Sequence, residues 1–188
     1  MNDTWKFNFA YSFTAQEERI RIADGLSRPC LGFTDEVLDA TYNTALYSRL
    51  GLSEPYNEEA GIEAEDCWRI AKFWYWDKPN LDALPQRTAA LLFDMCVTHG
   101  TREAVSLAQR GFNKCLGIYG AKLHVDGKLA YADITALGNE TNRILSSILM
   151  ERLRFLHDVL GEDARKYRMW RFRCIRLKNY LGVPDDKH

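Results

Sequence analysis

The chain has 188 residues, a formal net charge of −1, 46% apolar and 12% aromatic residues. These values describe a globular chain able to bury a sizeable core and exclude a disordered one. With 25 basic against 26 acidic residues there is no global field toward an anionic polymer, so nucleic acid is disfavoured as a partner and would need a local patch. No stretch approaches the ~18 uninterrupted apolar residues of a membrane span. The start, MNDTWKFNFAYSF, carries an early acid and no long apolar run. The expectation is a protein made in the cytoplasm without a signal peptide and not inserted in a membrane. Five scattered cysteines (Cys30, Cys67, Cys96, Cys115 and Cys174) form no Cys-x-x-Cys pair, and no histidine stands at zinc-ligand spacing. Neither a disulfide framework nor a metal site is expected, and without a P-loop or dinucleotide fingerprint no cofactor is implied.

In chain order, a first helix is expected over Asn8–Glu18, with Phe9, Ala10 and Phe13 as an apolar wall. Thr34 is a hydroxyl N-cap followed by Asp35 and Glu36, where the helix dipole favours acids, and predicts a helix over Asp35–Arg49 that Gly51 stops. A helix follows over Glu63–Trp74, limited by Pro79, and another over Gln86–Thr98, whose Ala89, Leu92, Phe93, Cys96 and Val97 form an apolar stripe. Cys96 there reads as a small buried hydrophobe rather than a nucleophile. Gly100 and Thr101 separate this helix from one over Arg102–Cys115, and the glycine-containing stretch Gly117–Lys128 marks a lobe boundary or small hairpin. After Asp133 come a short helix and a long one over Asn139–Val159, with Leu145, Leu149, Leu153, Leu156 and Leu160 at helical spacing and Gly161 as the stop. The last helix is basic. With no internal repeat and only short runs of strand character, the pattern specifies a mainly α bundle.

Two segments invite a functional reading. Trp74, Tyr75 and Trp76 in succession cannot all enter one core from a helix of about 3.6 residues per turn, so at least one ring faces a cleft or another element. Ordinary core packing is the plainer explanation. The segment Arg165–Lys178 carries Arg165, Lys166, Arg168, Arg171, Arg173, Arg176 and Lys178 interleaved with Tyr167, Trp170 and Phe172. Its charges surround the helix, which favours a solvated helix with a buried tryptophan over a dedicated anion site.

The linear order of several weak motifs resembles the N-acetylmuramidase and secretion-activator family, the family 108 glycoside hydrolases with a peptidoglycan-binding-like second half. Gly32 to Leu38 resembles its "G-I-T-x-x-V" helix start, and Ile70 to Asp77 its "I-Y-x-x-x-Y-W-D" element, with Leu84-Pro85 following. Phe93 to Gly100 resembles "F-D-x-A-V-N-x-G"; Asp126-Gly127 with Ala136-Leu137 resembles "D-G-x-x-G-x-x-T-x-x-A-L"; Tyr167 to Arg173 resembles "F-x-x-G-W-x-x-R". The resemblance implies a lysozyme-like helical bundle, mainly α, in which the small hairpin near 117–130 has a place. It divides the chain into a muramidase-like region, 1–100, and a peptidoglycan-binding-like region, 101–188, packed into one globule. The family's "E-G-G" motif is degenerate here: Glu18 lands on its glutamate, Arg19 and Ile20 replace both glycines, and Pro29 and Cys30 stand where Thr and Asn are usual.

What the resemblance implies for chemistry is glycosidic bond cleavage, which needs an acid for the leaving oxygen and usually a second carboxylate. Glu18 is the implied acid and Asp24 the natural second carboxylate; Asp35 competes, though capping suits it better. On the residues alone, Glu17 and Glu18 read as a solvent-facing pair. Tyr75, Trp76 and His99 are the candidates to line a sugar groove, and no metal is required. Two functions stay open: a peptidoglycan-degrading muramidase of endolysin or secretion-associated type, and a catalytically degenerate scaffold that binds glycan or a protein partner. Either would meet peptidoglycan glycan strands in the periplasm or cell wall after export through a holin or secretion system.

Overall fold

The computed structural model describes residues 4–23, 33–53, 62–117, 120–161 and 163–184. Among them are nine α-helices and no strand: α1 Trp5–Ala23, α2 Asp35–Tyr42, α3 Leu46–Leu50, α4 Ala64–Lys72, α5 Gln86–His99, α6 Thr101–Leu116, α7 Tyr131–Gly138, α8 Asn142–Leu160 and α9 Ala164–Tyr180. The mainly α, lysozyme-like expectation holds. No helix among the described residues is long and apolar enough to cross a membrane.

Local chemistry sets the boundaries. Thr34 accepts from the Val37 amide, Thr141 from that of Ile144, and Asp163 from that of Lys166, each side chain satisfying an amide that the first turn leaves orphaned. The helix expected over Asp35–Arg49 is instead two, because the chain turns at 43–45, where the Thr44 hydroxyl accepts from the Leu46 amide. Gly51, at φ 64°, ends the second in the left-handed conformation that glycine tolerates without cost.

α5 is the hub of the core, with every residue from Thr88 to Val97 buried. It packs against α1 and α6; α6 packs against α8, α8 against α9, and α9 returns to α1, closing a ring of helices. The α6–α8 contact is made possible by Gly111, where an added Cβ would lie 2.6 Å from the Ile148 Cα.

The hairpin envisaged near 117–130 is not formed by the described residues. Side-chain amides do the work of a partner strand: Asn113 both donates to the Leu123 carbonyl at 2.9 Å and accepts from its amide at 2.7 Å. Fully buried Gln109 accepts from the Asp126 and Gly127 amides and donates to Asp126, to the Lys128 carbonyl and to Asp133. The loop is thereby fixed to α6 without β pairing, and the requirement for buried polar groups to be paired is met.

Candidate functional site

The aromatic run folds as a π-helical turn, Phe73–Asp77, closed by the Lys78 amide donating to the Phe73 carbonyl at 3.0 Å. The wider turn changes which way successive side chains face. Trp76 enters the core and meets Phe7 and Phe93 edge-on at ring distances of 5.5 and 6.1 Å. Tyr75 is buried against Phe33, and burial pushes its phenol up to about 12. Trp74 is half-buried, its indole N–H donating to the Thr41 hydroxyl at 2.9 Å.

Trp74 and Tyr75 form part of one wall of a cleft of about 580 Å³, which also involves Thr34, Val37, Lys78, Asn80, Thr101 and Lys128. It lies between the start of α2, the π-helical turn, the α5–α6 junction and the 120–130 loop. Both halves of the chain contribute. Lys78 Nζ stands 3.9 Å from the centre of the Trp74 ring, a cation–π contact. Among the described residues that line the cleft there are two lysines and no acid.

Glu18 lies elsewhere. It and Glu17 are 2% and 4% exposed, which corrects the solvent-facing reading of that pair. Glu17 accepts two hydrogen bonds of 2.6 Å from Arg176, and Glu18 accepts from Arg173 Nη1 at 2.5 Å. Arg173 also donates to Asp94 from Nε at 3.2 Å and from Nη2 at 2.6 Å, while the Thr14 hydroxyl donates to Asp94 at 3.0 Å. Arg152 Nη1 reaches Asp94 at 2.8 Å as an ion pair, without hydrogen-bond alignment. Two carboxylates and two guanidiniums are thus enclosed together. Burial alone would raise the Asp94 carboxyl, but Arg173 and Arg152 together hold it below the usual carboxylate range.

His99 completes this cluster rather than lining the cleft. Its Nε2 accepts from Arg152 Nε at 3.1 Å, and its ring lies 5.3 Å from Phe155 and 5.7 Å from Trp170. Burial, reinforced by the Arg152 guanidinium, lowers His99 to about 3, so the imidazole is neutral near pH 7, as its acceptor role requires. Cys96 is fully buried and pushed up to about 12 by desolvation, the state of an inert core thiol.

Of the five residues nominated by sequence, Tyr75 reaches the cleft, Trp76 fills the core, Glu18 and His99 join the buried cluster, and Asp24 lies outside the described residues. Cys30 is also outside them. Sequence reasoning did not single out Lys78 and Lys128, or the pairing of Asp94 with Arg152 and Arg173. The available signals were the lysine following the aromatic run and the one following Asp126-Gly127. The buried cluster joins residues 79 and 155 positions apart, beyond any local pattern.

A mainly α, lysozyme-like bundle with an aromatic and cationic cleft defines the class. Comparison with known proteins makes it more particular: residues 28–100 match the glycosyl hydrolase 108 family. Eight cleft-lining residues, Thr34 to Gly100, fall within that span, and Glu18 falls before it. The solved structure of SagA from Brucella abortus superposes with a TM-score of 0.60 at 22% identity, covering 83% of this chain and 80% of that one, a likeness of fold. No curated protein matches the chain.

Proposed function

We propose that this protein is directed to peptidoglycan and that its cleft receives the glycan strand. The observation that carries this reading is the position of the cleft, whose aromatic wall and Lys78 lie within the segment matching the glycosyl hydrolase 108 family. Rings and aliphatic side chains such as Val37 and Leu129 offer apolar surface to sugar C–H faces, and Asn80, Thr34 and Thr101 offer groups for hydroxyl and acetamido hydrogen bonds. The region 1–100 would supply one wall and the region 101–188 the other, through Thr101, Val105 and the loop carrying Lys128. It would act in the periplasm or cell wall after export.

One reading is a scaffold that binds without cutting, and the pairing of Glu18 with Arg173 supports it. Glu18 is engaged by Arg173 in a buried contact, whereas a general acid must be within reach of the leaving oxygen. A second reading, N-acetylmuramidase action, is favoured by a separate observation. Glu18, Asp94 and Arg173 occupy the family-like "E-G-G", "F-D" and "W-x-x-R" positions, and they meet in one cluster. Glu18 would then protonate the leaving oxygen after release from Arg173, with Asp24 as the second carboxylate. Purified sacculi separate the two. Sedimentation with sacculi and no loss of turbidity supports the binder. Loss of turbidity that Glu18→Gln abolishes supports the hydrolase, and neither binding nor lysis removes both.

A further inference from the structure

We infer that the outward face of α9 docks on an anionic lipid bilayer, with Arg165, Arg168 and Arg171 meeting lipid phosphates and Phe172 and Ile175 entering the boundary between headgroups and acyl chains. None of the described residues that line the cleft belongs to α9, so this surface stands apart from the glycan reading. From Ala164 to Tyr180 the helix carries seven basic side chains and no acid. Packing engages some of them: Arg173 is buried against Glu18 and Asp94, Arg176 pairs with Glu17, and Lys166 pairs with Asp163 at 3.1 Å. Arg165, Arg168 and Arg171 are exposed and form no ion pair among the described residues.

The uncompensated charge therefore lies on one side rather than around the helix. Arg165, Arg168, Phe172 and Ile175 follow one another at three- and four-residue spacing, and Arg171 neighbours Ile175 one turn away, so all five share a face. Among these cations Phe172 is 50% and Ile175 42% exposed. An anionic bilayer satisfies both kinds of group, because guanidiniums take phosphate oxygens in paired hydrogen bonds while apolar side chains beside them leave water for the headgroup boundary. Nucleic acid offers the phosphates without an apolar layer for Ile175. Each basic residue close to an anionic leaflet strengthens binding about fivefold, an effect that fades within a Debye length, so the three act together because they share a face. The net charge of −1 adds no long-range attraction, which leaves this face to supply it.

The test is co-sedimentation of the full chain with vesicles of equimolar phosphatidylglycerol and phosphatidylcholine, against vesicles of phosphatidylcholine alone. The parent is expected to bind the anionic vesicles at least about tenfold more tightly, and less so as salt is added. Arg165→Gln/Arg168→Gln/Arg171→Gln is expected to lose that preference, and Phe172→Ser/Ile175→Ser to bind the anionic vesicles about fivefold more weakly. Both variants change exposed side chains and should keep the parent's circular dichroism. Equal binding to the two kinds of vesicle, or undiminished binding by either variant, overturns the inference and leaves the glycan cleft standing. A mixed-sequence DNA duplex bound more tightly than the anionic vesicles, with no loss in Phe172→Ser/Ile175→Ser, overturns it in favour of nucleic acid.

Discussion

Glu18 and Arg173 stand 155 residues apart in the chain and form an ion pair of 2.5 Å in which both side chains are 2% exposed. Arg173 divides its donors between Glu18 and Asp94, so one guanidinium joins α1, α5 and α9. Removing it leaves Glu18 without this partner and Asp94 with Arg152 as its remaining charge partner. Breaking a buried pair from one side costs about 3–5 kcal/mol, because a charge stays in the interior with one ion-pair partner fewer. Arg173→Met is therefore expected to lower the free energy of unfolding by an amount in that range, read from urea denaturation midpoints at constant slope. A loss below about 1 kcal/mol, the scale of a surface pair, would contradict the account.

The same cluster sets a pH dependence. His99 is lowered from its ordinary 6.5 to about 3 in the folded protein, so between these values the unfolded chain binds the extra proton. Stability from this group is present above pH 6.5 and is lost as pH falls toward 3, with a slope of at most about 1.4 kcal/mol per pH unit. Asp94, also depressed, adds to the loss below its ordinary value of 3.8, in the same direction. Denaturation midpoints are expected to fall steadily from pH 7 to pH 4. His99→Gln, which can still accept from Arg152, should flatten that fall. An unchanged slope in the variant would assign the pH dependence elsewhere.

Close approach of α6 and α8 depends on the absence of one methyl group. A Cβ at Gly111 would stand 2.6 Å from the Cα and 2.8 Å from the amide nitrogen of Ile148, and backbone atoms cannot swing aside. Gly111→Ala is expected to destabilise by about 1–3 kcal/mol, even though alanine is the better helix former. Thermal or urea unfolding measures it, and a stabilised variant would show that the two helices are not in this contact.

Much of the helical framework was legible from capping and stop residues, because those act within a turn or two. Thr34 and Gly51 mark boundaries where expected, and α5 ends within one residue of its predicted end. Expectations failed where a few residues' conformation decided the outcome. The turn at 43–45 splits one expected helix into two, and α1 runs from Trp5 to Ala23 rather than over Asn8–Glu18. The loop near 120–130 had a glycine signal shared by hairpins and irregular loops, and the buried Gln109 that fixes it sits in a helix with no local mark of that role. Trp76 and Trp74 are alike in sequence; the π-helical turn sends one to the core and the other to the cleft wall.

Trp74 and Thr41 form a pair whose role at the cleft wall can be isolated. The indole N–H donates to the Thr41 hydroxyl at 2.9 Å and the ring carries Lys78. Thr41→Val removes the acceptor at nearly constant shape and leaves a partly buried N–H unpaired, at a cost of about 1–3 kcal/mol. Trp74→Phe removes the unpaired donor. The double variant is expected to lose less stability than the sum of the two single losses, as a double-mutant cycle of unfolding free energies would show. Additive losses would mean that the two side chains do not interact.

The central claim is that peptidoglycan glycan occupies the cleft walled by Trp74, and co-sedimentation of the full chain with purified sacculi tests it most directly. The account predicts that the parent protein sediments with sacculi and that Trp74→Ala, folded by circular dichroism, binds roughly fivefold or more weakly, as expected for a side chain contributing over about 1 kcal/mol. Parent protein that stays in the supernatant, or a Trp74→Ala variant that sediments equally well, would contradict it.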